Sequence, residues 1–171
     1  AFPDLLLLYL VLMQVIVTDH HEVPYEDENG RRNYLLPPAD AIVNPKQQDC
    51  HYPFKGLCGA AVAWKLICAL YQRHGINRAE SIEFIEYAAF ATIGDVMDLQ
   101  GENRVIVKEG LKRLRKTKSK GLLALMGENQ LHSKDVNAYH IGFVLGPCLN
   151  ASGRLDTAKR ALAMLCAKSN K

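Results

Sequence analysis

Three groups of residues in this chain have types and spacings that could do chemistry. The first is Asp19-His20-His21, which follows the β-branched run Val15-Ile16-Val17-Thr18 directly. Imidazole and carboxylate together can hold a divalent ion, and an acid beside a histidine can accept a ring N–H and fix its tautomer. Adjacent histidines on extended backbone are expected to point to opposite sides, one towards a metal and the other towards a substrate. The second is Asp95, a carboxylate inside the otherwise apolar Ala91-Thr92-Ile93-Gly94-Asp95-Val96. If buried, it needs a pair or a metal; the plainer alternative is a turn or capping residue beside Gly94. The third is Gly146-Pro147-Cys148-Leu149-Asn150-Ala151-Ser152-Gly153-Arg154. Small residues there let backbone approach a phosphate while arginine offers a fork of donors, although the same string also reads as an interhelical turn.

The elements that must position these groups follow from the patterning. Residues 15–18 and 41–43 read as short strands, and in an open parallel sheet functional groups gather at the carboxyl ends of strands. The polar stretch 22–33 and Leu35-Leu36-Pro37-Pro38 read as loop. Helical spacing of apolar residues predicts helices over 56–74, 78–90, 102–114 (with Glu102 and Asn103 near its start), around 122–126 and over 155–167. Another is expected from Ser133, with Ser133-Lys134-Asp135 as its cap. Residues 139–145 fit either a strand or a helix. The opening run Leu5-Leu6-Leu7-Leu8-Tyr9-Leu10-Val11-Leu12-Met13 falls short of the ~20 apolar residues of a membrane span and has no basic residue before it. It is expected in the core, and no membrane partner is expected.

Composition bounds the function without naming it. At 171 residues, 49% apolar and 23% charged, the chain has the size of one domain and is neither disordered nor collagenous. The net charge of +3 singles out no partner. Eight basic residues between Arg104 and Lys120, against the single acid Glu109, suit either a phosphate backbone or a solvated helix face. Five cysteines, an odd number with no C-x-x-C pair, point away from a disulfide framework and towards a reducing, cytoplasmic setting. Cys50-His51 with Cys58 lacks the spacing of a zinc site.

Ile16-Val17-Thr18-Asp19-His20-His21-Glu22 resembles the signature of the DHH phosphoesterase superfamily. So do Leu36-Pro37-Pro38-Ala39-Asp40-Ala41-Ile42-Val43-Asn44-Pro45-Lys46 and Tyr52-Pro53-Phe54-Lys55-Gly56-Leu57-Cys58-Gly59-Ala60. Thr92-Ile93-Gly94-Asp95-Val96, Gly101-Glu102-Asn103-Arg104 and Asn150-Ala151-Ser152-Gly153-Arg154 continue the match in the family's order. The resemblance is to its exonuclease branch. It implies an α/β fold: the C-terminal part of a Rossmann-like parallel-sheet domain with several packed helices over 1–145, then the start of a connector helix over 146–171. It implies a metal-dependent phosphodiesterase using Mn²⁺ (or Mg²⁺), two ions in the intact site, to degrade single-stranded DNA from its 5′ end. His20 and Asp95 would be ligands of one ion, His21 would face the scissile phosphate, Asp19 would orient the histidines, and Asn150 and Arg154 would contact the nucleic acid.

The chain departs from the family in three places. The family's Asp-x-Asp element and bridging Asp lie upstream of the triplet, where this sequence has only Asp4. Cys148 stands where the family commonly carries Arg, and the downstream domain that closes the nucleic-acid groove is expected to be missing. The expectation is therefore a fragment, truncated at both ends and inactive alone, with self-association through an exposed sheet edge. The alternatives are a non-catalytic remnant that binds single-stranded nucleic acid, or a related phosphoesterase for short oligonucleotides or cyclic dinucleotides.

Overall fold

Residues 13–155 and 158–168 are described by a computed structural model, with the side chains of 13–151 and 158–168. The expected core role of the opening run falls almost wholly outside these residues; Met13, its last member, is exposed. β-Branched residues extend the chain twice, in β1 (Ile16–Thr18) and β4 (Ala41–Val43). These strands pair in parallel, with Ile16 opposite Ala41 and Thr18 opposite Val43. Between them, the polar stretch expected as loop forms an antiparallel hairpin, β2 (Tyr25–Glu28) and β3 (Arg31–Tyr34). Asn29 and Gly30 turn it with φ of 54° and 81°, the left-handed pair that matches the twist of a two-residue hairpin. The strands escaped the sequence reading because both faces are polar and nearly all their residues are exposed, so no alternation marks them. Arg32 lies over the Tyr25 ring at 4.5 Å and Tyr25 meets Tyr34 across the pair.

Helices make up the rest. α1 (Gly59–Arg73) lies against β1 and against α3 (Ile85–Gly94). The single helix expected over 78–90 is instead α2 (Arg78–Ser81), a 3₁₀ turn (Ile82–Phe84) and α3. α4 (Gly101–Leu114) packs along α3 so closely that a β-carbon on Gly110 would stand 2.2 Å from the Ala89 Cβ. α5 (Lys120–Glu128) is capped by Ser119. The cap expected at Ser133 opens only a 3₁₀ turn (Ser133–Asp135). The next true cap is Asn137, whose side chain accepts from the His140 amide at the start of α6 (Ala138–His140).

The ambiguous segment resolves as helix: α6 runs into a π-helical stretch (Ile141–Leu145) and then α7 (Gly146–Leu155). The final helix, α8 (Ala158–Leu165), is shorter than expected, and Leu162, taken as part of its apolar face, is exposed. The core gathers Leu57, Ala61, Val62, Ile85, Ala88, Ala89, Ile106, Leu114, Leu122, Met126, Ile141 and Leu145. This is the α/β class, with a small parallel sheet and several packed helices. Among the described residues no helix is long and apolar enough to cross a membrane.

Candidate functional site

The parallel pairing of β1 with β4 fixes where the triplet emerges. The Asp19 amide donates to the Val43 carbonyl at 3.0 Å, the last contact before the chain bends. Asp19 then turns its carboxyl back: Oδ1 accepts from the His21 Nδ1–H at 2.7 Å and from the His20 amide at 2.7 Å. Burial raises this carboxyl, but the His21 ring and the amides of His20 and His21 outweigh it, holding Asp19 below the usual carboxylate range. The bend corrects one expectation. The two histidine rings do not diverge; their centroids lie 4.3 Å apart, because the strand has ended and alternation no longer applies.

Asn44, buried at the end of β4, completes the clamp. Its side-chain amide donates to the His21 carbonyl at 3.0 Å while its Oδ1 accepts from the Lys46 amide. The sequence reading missed Asn44, although its place at the carboxyl end of the neighbouring strand could have singled it out. Gly59 was missed too. A β-carbon there would approach the His20 ring at 3.2 Å, so His20 lies against the first residue of α1. The Cys58 side chain makes no capping bond at this helix start, and the leading amides of a helix can receive an anion.

Asp95 is the C-cap of α3. It is exposed, so the expectation of a carboxylate buried in apolar surroundings does not hold. The turn reading describes its backbone. Val96 donates to the Ile93 carbonyl and Met97 to the Thr92 carbonyl, a Schellman closure whose left-handed position normally goes to glycine. Here Val96 occupies it, with φ of 55°, a costly conformation for a β-branched residue.

Asp95 and Asn150 line one cavity of about 290 Å³, together with Ala60, Gly94 and Gly146. Ala60 follows the glycine on which His20 rests, so α1 joins the triplet to this cavity. Arg154 lies on α7, and its side chain is outside the described residues. Asn103, expected at a helix start, is fully buried. It donates to the carbonyls of Gly56 and Asp98 at 2.7 and 3.0 Å, tying the loop before α1 to the turn after Asp95. Glu102 pairs with Lys65 of α1 and accepts from the Tyr52 hydroxyl, which ties α4 to α1 and to the loop before it.

Imidazole and carboxylate suit a divalent ion in kind but not in number. Among the described residues, no three His, Cys, Asp or Glu side chains converge as a metal site would require. The eight basic residues expected as a stripe are all exposed on α4 and the segment leading into α5. None of the five cysteines is paired.

The family model described as "DHH family, N-terminal domain" matches residues 8–94. The single-stranded-DNA-specific exonuclease RecJ of Bacillus subtilis (strain 168) is 39% identical over 158 residues, covering 92% of this chain and 18% of the relative. A crystal structure of RecJ in complex with Mn²⁺ from Thermus thermophilus superposes with a TM-score of 0.74 at 32% identity, over 99% of this chain and 24% of that one. The Mg²⁺ complex from the same organism gives 0.65 at 34% identity, over 75% and 20%. The chain thus spans about a fifth to a quarter of the length of these relatives.

Proposed function

This chain belongs to the DHH family, and from that premise we propose that it is part of a RecJ-like 5′→3′ single-stranded-DNA exonuclease. In this reading His20 and Asp95 are the two ligands it contributes to one divalent ion, Mn²⁺ or Mg²⁺, of a two-ion site. Bound ions of this kind activate water and stabilise the leaving oxygen of a phosphodiester. His21, held by Asp19, faces the scissile phosphate, and Asn150 with Arg154 holds the strand. Residues 1–145 are the catalytic portion, and 146–171 begin a connector. The carrying observation is the fixed turn at the end of β1: Asp19, His20 and His21 locked to β4, with His20 seated on the helix that leads to the cavity of Asp95 and Asn150. Unpaired thiols accord with a cytoplasmic setting.

Two donors do not fill a two-ion site, so the chain by itself binds single strands without cutting them. A second reading, a non-catalytic single-strand binder, is favoured by the exposed basic stripe and shares that outcome. The test is incubation of the purified chain with 5′-labelled single-stranded DNA and Mn²⁺. Binding is expected to weaken with salt, log K falling by about 0.7 per phosphate engaged for each unit of log salt, with the label retained. Release of the label would show that the donor set is complete after all. Absence of binding would overturn both readings.

A further inference from the structure

Tyr139 and Phe143 are large aromatic side chains left in solvent, 64% and 73% exposed. Their rings are stacked, with centroids 5.1 Å apart and planes 30° from parallel. Exposing two rings forgoes the gain of burying them. Through the π-helical stretch the Gly146 amide donates to the Ile141 carbonyl, five residues back. A β-carbon at Gly146 would press on that oxygen at 2.8 Å. Ile141 and Leu145 lie in the core, and Phe143 between them stands outside. Such π insertions are rare and gather at functional sites.

Two neighbours indicate the occupant. The helix continues without a break into α7, and Asn150, seven residues or about two turns beyond Phe143, lines the cavity of Asp95. On the other side Arg115 donates from Nε to the Val136 carbonyl at 2.9 Å, placing a permanent cation three residues before Tyr139. A stacked aromatic pair with a guanidinium near the start of its helix and, two turns on, a largely apolar cavity that holds Asp95 and Asn150 has the composition of a single-strand stacking platform, where any base offers a π-face and the backbone meets positive charge.

We propose that Tyr139 and Phe143 form a platform on which a nucleobase of single-stranded DNA stacks, guiding the strand towards Asn150 and Asp95. The proposal rests on the single-strand reading above and deepens it by assigning a base-binding position outside the histidine site.

The test compares a labelled oligothymidylate with an abasic strand of equal length, by fluorescence anisotropy on the full chain. Phe143→Ala is expected to weaken oligothymidylate binding roughly 5- to 150-fold, the range for losing one stacked base, and to leave the abasic strand unaffected. Phe143→Trp should restore affinity, its indole emission being quenched by the base-bearing strand alone. Because the side chain is exposed, both variants should melt with the parent. If Phe143→Ala binds both strands as the parent does, or loses both equally, the platform is refuted while the single-strand reading stands. If the parent chain binds neither strand, that reading fails and the platform falls with it.

Discussion

The Asp19 carboxyl does two things at once: it receives the His21 ring and it caps the amides that start the bend after β1. Its titration is lowered in the fold, so the stabilisation it brings is present above the ordinary value of 3.8. That stabilisation disappears as pH falls through the folded value. Asp19→Asn keeps an acceptor but loses the charge. Because the carboxyl is partly open to screening water, the expected cost is only about 0.5 kcal/mol at neutral pH. Denaturant melts of the two proteins should therefore differ slightly at neutral pH and coincide in strong acid; a difference that persists in acid would mean the bend is held by something else. At this scale the sequence was informative about identity and misleading about direction. Three ionisable residues after a strand announced the site, but the approach of the two rings follows from the bend, and no spacing rule describes a bend. Asp95 drew notice as a carboxylate among apolar residues, yet it is a helix-ending residue in solvent, held by a left-handed Val96.

Between elements, the site depends on how closely α3 and α4 approach, since α3 ends at Asp95 and α4 begins with the residues that tie it to α1. Gly110 permits that approach. Gly110→Ala would add helix propensity of about 1 kcal/mol but would drive a β-carbon to 2.2 Å from Ala89 Cβ and 2.7 Å from the Ile85 carbonyl oxygen. Backbone cannot yield as a flexible side chain can, so overpacking prevails and a net loss of about 1–2 kcal/mol is expected in denaturant melts. An unchanged or raised midpoint would show that the helices can part freely. Most helices were legible from apolar spacing. The hairpin was not, because strands polar on both faces leave only the Asn29-Gly30 turn as a signal. The π-helical stretch was not either: it depends on a backbone bond five residues long and on Gly146 tolerating it.

Across the molecule, the parallel sheet has two strands, β1 and β4, and among the described residues nothing pairs with the outer edge of β1. Ile16 on that strand is 64% exposed. An open, apolar strand edge invites a second chain, so sedimentation should give a mass above 19.1 kDa that rises with concentration; a monomer at every concentration would contradict this. His20 and Asp95 lie on different elements, joined through α1 and Asn103, and in the proposed reading they share a single divalent ion. Titration of Mn²⁺ into the chain, followed by the paramagnetic signal of the free ion, tests this directly. One weakly held ion is expected, lost on His20→Ala and equally on Asp95→Ala, with the fold intact by circular dichroism. Two tightly bound ions, or binding indifferent to both substitutions, would contradict it.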